Sequence, residues 1–97
     1  MTLTSKQVDQ LKALAHHLNP LIQIGKNGVT KGQIENIDKD LLHHELLKIK
    51  FNNYKAQKEE LSRKIAIETG SEIVDIIGNT LIIYRAHPNP KERQIEI

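Results

Sequence analysis

Two β-rich runs, Glu72–Ile77 and Thr80–Arg85, are separated by only two residues, Gly78-Asn79. That spacing leaves the chain little choice, because a two-residue connection of this composition folds the runs back into an antiparallel hairpin. Direct pairing across the turn opposes 77 with 80, 76 with 81, 75 with 82, 74 with 83, 73 with 84 and 72 with 85. In this register Val74, Ile76, Leu81 and Ile83 share one face, with the Glu72 and Arg85 pair at its open end. Asp75, Thr80 and Tyr84 share the other face. The first face is the expected core.

Upstream of the hairpin, helical and strand periods alternate. Thr4-Ser5-Lys6-Gln7 reads as a capping box. Val8, Leu11, Leu14, Ala15 and Leu18 then recur at helical spacing until Asn19-Pro20, where the residue before proline avoids the α region. Leu21–Ile24 is a short strand leading into Gly25-Lys26-Asn27-Gly28. Thr30-Lys31-Gly32-Gln33 makes a second capping box, with Val29 and Ile34 placed as a hydrophobic staple. The second helix carries Ile34, Ile37 and Leu41 on its core face and ends near His43-His44. Leu46–Phe51 alternates with period two, setting Leu47, Ile49 and Phe51 against Lys48 and Lys50. A third helix, roughly Lys55 to Thr69 and capped by Asn52 or Asn53, presents a narrow stripe of Leu61, Ile65 and Ala66. Gly70 suits its left-handed end. The order α-β-α-β-α-β-β predicts an α/β fold of the two-layer α+β type, three helices on a four-stranded mixed sheet with right-handed crossovers. The tail from Ala86, with Pro88, Pro90 and Lys91-Glu92-Arg93, is expected to be loosely held.

Ninety-seven residues suffice for a single domain with one modest core. The chain has no cysteine, which removes disulfides, thiolate metal sites and thiol nucleophiles. No apolar run approaches the roughly 18 residues of a membrane span, and the N-terminus lacks a signal-peptide stretch, so a soluble cytoplasmic protein is expected. The five histidines invite a metal reading, but His16-His17 and His43-His44 are adjacent pairs, whereas helical metal pairs use i, i+4. Ser5, Ser62 and Ser71 stand in no nucleophile-elbow context. Asp38 and Asp40 diverge on a helix, and Asp75 is isolated. No metal, cofactor or small-molecule substrate is expected, and an enzyme is not indicated.

Charge points elsewhere. Residues 1–33 carry Lys6, Lys12, Lys26 and Lys31 against Asp9 alone, although the whole chain is only +2. Gly25-Lys26-Asn27-Gly28 lies between a strand and a marked helix start. Helix N-termini offer unpaired N–H groups and partial positive charge, glycine admits close approach, and Lys26 and Lys31 add full charges. Such a loop fits a phosphate backbone. It matches neither the phosphate-binding loop of nucleotide hydrolases nor the dinucleotide glycine pattern. With only Phe51, Tyr54 and Tyr84 as aromatics, there is no platform for stacking several bases.

Several segments together resemble the YhbY family, bacterial proteins made of a single CRM (chloroplast RNA splicing and ribosome maturation) domain. They are Thr4-Ser5-Lys6-Gln7, Leu14-Ala15-His16-His17-Leu18-Asn19-Pro20, Ile24-Gly25-Lys26-Asn27-Gly28-Val29, His44-Glu45-Leu46-Leu47-Lys48-Ile49-Lys50, Ile77-Gly78-Asn79-Thr80-Leu81-Ile82-Ile83-Tyr84-Arg85 and Lys91-Glu92-Arg93. The resemblance implies an RNA-binding protein acting on large-subunit ribosomal RNA in precursor particles, with a fold related to the C-terminal domain of translation initiation factor three. The family's GxxG loop maps onto Gly25, Lys26, Asn27 and Gly28, and its basic surface onto Lys31, Lys48, Lys50 and Arg85. Two other readings compete: a KH-type module, whose loop joins two helices rather than following a strand, and a protein-binding adaptor that uses the first helix or the tail.

Overall fold

The computed structural model describes residues 3–25, 28–52 and 57–97. Three helices, α1 (Ser5–Ala15), α2 (Lys31–His44) and α3 (Lys58–Thr69), accompany four strands, β1 (Ile22–Ile24), β2 (Leu46–Phe51), β3 (Glu72–Ile77) and β4 (Thr80–Tyr84). The sheet runs β1-β2-β4-β3, with β1 parallel to β2 and both other pairings antiparallel. The expected element order and mixed sheet are therefore present. The crossovers β1-α2-β2 and β2-α3-β3 both advance in the same direction across the sheet. One handedness rule accordingly puts α2 and α3 on the same face.

The layering differs from the two-layer expectation. On one face Ile22, Ile24, Leu47, Ile49, Phe51, Leu81 and Ile83 pack with Ile37 and Leu41 of α2 and Ile65 of α3. On the other, Leu46, Val74, Ile82 and Tyr84 pack with Leu11 and Ala15 of α1. The sheet is covered on both sides. Its apolar residues alternate into two cores because β2 and β4 carry bulky side chains on both faces.

The hairpin accounts for part of this. Gly78 takes φ 58° and Asn79 a negative φ, the pattern of a II′ turn. Pairing follows the expected register for 77 with 80, 76 with 81 and 75 with 82, then shifts to 73 with 83 and 72 with 84. Val74 is the extra residue of a β-bulge. The bulge turns Val74 to the α1 face and brings Ile73 round to join Ile76 against the other core. It also sets Glu72 opposite Tyr84 rather than Arg85.

Helix boundaries reflect local hydrogen bonding. At Thr4 both halves of the capping box form. At Thr30 only one half does: its hydroxyl accepts from the Gln33 N–H, while the Gln33 amide donates to the Gln23 carbonyl and ties α2 to β1. α1 ends at Ala15, earlier than Asn19-Pro20 suggests, and continues as turns through Leu18. Leu18, beyond the helix, is 40% exposed, and Leu14, in its last turn, is 46% exposed, so neither is a core residue. α3 starts at Lys58 with Gln57 as an N-cap that makes no side-chain bond. Asn52 does not cap it, its amide going to the Gln23 side chain instead. Asn53 and Lys55 lie outside the described residues. Gly70 closes α3 in the left-handed conformation, as its position suggests.

The tail is fastened, contrary to expectation, by a residue whose role composition conceals. Glu45 ends α2 at φ 59° and is 1% exposed. Its carboxylate accepts N–H bonds from His87, Gln94 and Ile95 at 2.6–3.0 Å. Burial raises the Glu45 pKa, but these three N–H donors and the nearby His87 outweigh it, leaving the carboxyl below its ordinary value. The same charge, after burial itself, helps push the Tyr84 phenol upward. Ile95 and Ala86 then pack on the α1-side core.

Candidate nucleic-acid interface

β1 and β2 are parallel, so their carboxyl ends emerge together, Ile24 beside Phe51. In the chain each strand is followed by a helix, α2 or α3, and the β3–β4 turn arrives at the same end, where the Phe51 N–H donates to the Asn79 carbonyl at 2.8 Å. Open sheets bind ligands beyond their strands' carboxyl ends, where such loops and helix starts converge. The buried Phe51 and Ile24 side chains fix the base of the site. The Asn52 N–H, bonded to the Ile24 carbonyl at 2.9 Å, holds the two strand ends level.

The two glycines of the loop have different needs. Gly28 takes φ 69°, and its N–H closes a turn on the Gly25 carbonyl at 3.0 Å, so its conformation alone accounts for glycine. Gly25 has no positive φ, and a Cβ placed there meets nothing within 4 Å among the described residues. Neither backbone strain nor internal packing demands glycine at that position. A bare backbone facing open space suits close approach from outside. Lys26 and Asn27 lie outside the described residues.

The structure brings Lys31 and Lys50 to this end and sets Lys48 and Arg85 to other tasks. Lys31 is the first residue of α2, exposed beside the N-cap Thr30. With Lys64 of α3 it lines a cleft of about 430 Å³ between the helices. Lys50 is exposed near the end of β2, opposite Gln23 and Thr80. Lys48 instead donates to the Leu18 carbonyl at 3.0 Å. The Arg85 guanidinium is 19% exposed, pairs with the Asp38 carboxylate and donates to the carbonyls of Asp38 and Thr69. Arg85 thus binds the middle of α2 to the end of α3.

Sequence reasoning missed the place of Lys58, which like Lys48 spends its ammonium on a backbone carbonyl. Placed inside an expected helix beginning at Lys55, it is in fact at the α3 N-terminus, with its ammonium 2.6 Å from the Gly78 carbonyl. The available signal was the acidic pair Glu59-Glu60, which belongs in a first helical turn. The histidine pairs are edge-to-face neighbours, His16 with His17 and His43 with His44. Among the described residues no three His, Asp or Glu side chains are grouped to hold a metal.

Arg85→Ala tests the division of labour. The change removes a charged and partly buried bond set, so stability is expected to fall by about 2 kcal/mol, the half-exposed Asp38 discounting the ion-pair share. Thermal melting measures that loss. The salt dependence of any nucleic-acid binding should remain unchanged.

The sequence profile of the CRS1 / YhbY (CRM) domain matches residues 3–85. A Haemophilus influenzae protein named "RNA-binding protein" is 41% identical over 91 residues, covering 93% of this chain and 92% of its own length. The Bacillus subtilis "Probable RNA-binding protein YqeI" is 34% identical over 96 residues, 98% of both chains. Among solved structures, that of the hypothetical protein SAV1595 from Staphylococcus aureus superposes with a TM-score of 0.79 at 38% identity, covering 98% of this chain and 100% of that one. With a profile spanning both cores and relatives matched along nearly their whole length, the chain belongs to the CRS1 / YhbY (CRM) domain family.

Proposed function

We propose that this chain binds RNA through the sugar-phosphate backbone at the carboxyl end of β1 and β2. In this reading it serves in the cytoplasm as a non-enzymatic assembly factor on ribosomal RNA of the large-subunit precursor. Gly25 is the observation that carries the backbone-gripping reading, since no demand from the described residues explains a glycine there. RNA backbone drawn against Gly25 meets the N–H groups of the α2 start, with Lys31 and Lys50 supplying charge. Binding of this kind depends on shape and phosphate spacing and discriminates little between bases. The names of the relatives support RNA as the partner. The ribosomal role rests on the resemblance of the motifs.

Gly25→Val tests the grip. A side chain there meets open space, so the melting temperature should hold, while affinity for large-subunit ribosomal RNA should fall at least tenfold. Unchanged affinity in a folded Gly25→Val protein would remove the loop from the interface.

A further inference from the structure

The cleft between α2 and α3 gathers charged side chains that the fold leaves unused. Its described lining is Val29, Thr30, Lys31, Ile34, Lys64 and Glu68, and Val29 to Lys31 continue the chain directly from Gly28 of the loop. Val29 and Ile34 pack on the core and give the cleft an apolar side. On α3, Lys58 is spent on the Gly78 carbonyl, and Arg63 lies 3.8 Å from Glu59 one turn earlier. Lys64 has Glu60 and Glu68 at that same spacing before and after it, yet among the described residues its ammonium makes neither an ion pair nor a hydrogen bond. Glu68 is equally unengaged, and its position is unfavourable for the helix: it is the penultimate residue of α3, where an acid opposes the dipole. Both side chains are exposed.

Resting on the RNA-binding reading, we infer that this cleft takes one ribose-phosphate unit, with the phosphate between Lys31 and Lys64 and the ribose 2′-hydroxyl donating to the Glu68 carboxylate, so that Glu68 selects the RNA sugar. Charge places the phosphate. Two lysines from different helices line one cleft against a single carboxylate, an excess of one positive charge that a phosphodiester neutralises. Glu68 then needs a partner of its own kind, because an ionised carboxylate only accepts hydrogen bonds and repels a polyanion unless a donor reaches it. The sugar-phosphate backbone offers one donor, the 2′-hydroxyl, and DNA lacks it. Lys64 and Glu68 stand four residues apart, about 6 Å along the helix at 1.5 Å per residue, which lies within the span of one nucleotide. A cleft of about 430 Å³ is also of the size that holds a small ligand. A chain gripped at Gly25 therefore leaves the loop along the helices, where its sugar is read without any base contact.

The test uses the full chain and one single-stranded RNA, as such and with every ribose 2′-fluoro, a change that keeps the sugar pucker and removes the hydroxyl proton. The native chain should bind the RNA about fivefold more tightly than its 2′-fluoro counterpart, roughly the worth of one exposed charge-assisted hydrogen bond. Glu68→Ala should bring that ratio to about one. Lys64→Ala should weaken both probes alike and flatten the salt slope by about 0.7, while Arg63→Ala, turned about 100° away on the helix, should leave the slope unchanged. Neither Lys64 nor Glu68 has a partner among the described residues, so the melting temperature should hold in both variants. Equal binding of the two probes by the native chain, a ratio that survives Glu68→Ala, or a slope that Arg63→Ala flattens as much as Lys64→Ala would each overturn the assignment. Gly25→Val separates this outcome from that of the proposed function: lost RNA affinity there with a ratio independent of Glu68 strikes the cleft and leaves the loop's grip, whereas unchanged affinity there strikes the grip itself.

Discussion

Replacing Lys26, Lys31 and Lys50 together by alanine is expected to weaken binding to large-subunit ribosomal RNA on the order of a hundredfold at about 0.1 M salt. The magnitude follows from counterion release. Each phosphate neutralised contributes a slope of about 0.7 to 0.9 in log affinity against log salt, or roughly five- to eightfold between 1 M and 0.1 M. Three such contacts multiply to a few hundredfold at most, and their removal should flatten the slope by about two to three. Lys31 and Lys50 are exposed, so their substitution leaves the two cores intact. Lys48→Ala is the internal contrast, because its ammonium already serves the Leu18 carbonyl and should contribute little to the slope. Binding titrations at 50 and 200 mM salt read both effects.

Glu45→Ala is expected to cost about 2–4 kcal/mol. Three backbone N–H groups lose a charged acceptor, each such bond being worth roughly 1.5–3 kcal/mol, and release of the tail into water limits the total. For a domain of this length that lowers the melting temperature on the order of 10–25 °C. Glu45→Gly relieves the positive φ, worth about 1 kcal/mol, and should still destabilise, because the carboxylate outweighs the strain. The pH dependence has a definite sign. The carboxyl of Glu45 lies lower in the folded than in the unfolded chain, so the folded form binds the proton less tightly. Its stabilisation is complete above the ordinary carboxylate range near about 4 and is lost as pH falls through that range toward the lower folded value. Glu45→Gln should remove that acid dependence. Melting curves between pH 3 and 7 compare the proteins directly.

The parts of the fold visible in the sequence are those set by local chemistry. Gly78-Asn79 fixes the turn and the first three pairs beyond it, Gly70 ends α3, and the Leu47-Ile49-Phe51 alternation identifies a buried strand face. The bulge at Val74 is not visible, since a one-residue slip in pairing leaves every residue of the run in extended backbone and changes no local preference. That slip sends Val74 to the opposite core and parts Arg85 from Glu72 in register, leaving Arg85 to find Asp38 and Thr69 from other helices. Gln33 shows the same competition on a smaller scale, its amide drawn from the cap to the β1 backbone.

The site follows a similar division. The placement of Gly25, Gly28 and Lys31 between a strand and a helix start was legible because a capping box following a strand is a local signature. Lys58 was not, because its place at a helix start depends on where α3 begins. Glu45 had left a trace: an acid at the carboxyl end of a helix opposes the helix dipole, so it needed a reason from elsewhere. That reason is a tail contacted more than forty residues later. Lys48 and Lys50, equivalent by alternation, separate only when the turn at Leu18 closes over one of them.

Mapping of amide shifts in the labelled full chain on addition of a large-subunit ribosomal RNA fragment tests the proposed phosphate grip at the carboxyl end of β1 and β2 most directly. The expected shifts lie at Gly25, Gly28, Lys31 and Lys50, weaken as salt rises, and spare Leu14, Leu18 and His44. Shifts confined to Leu14, Leu18 and His44, or insensitive to salt, would contradict the account.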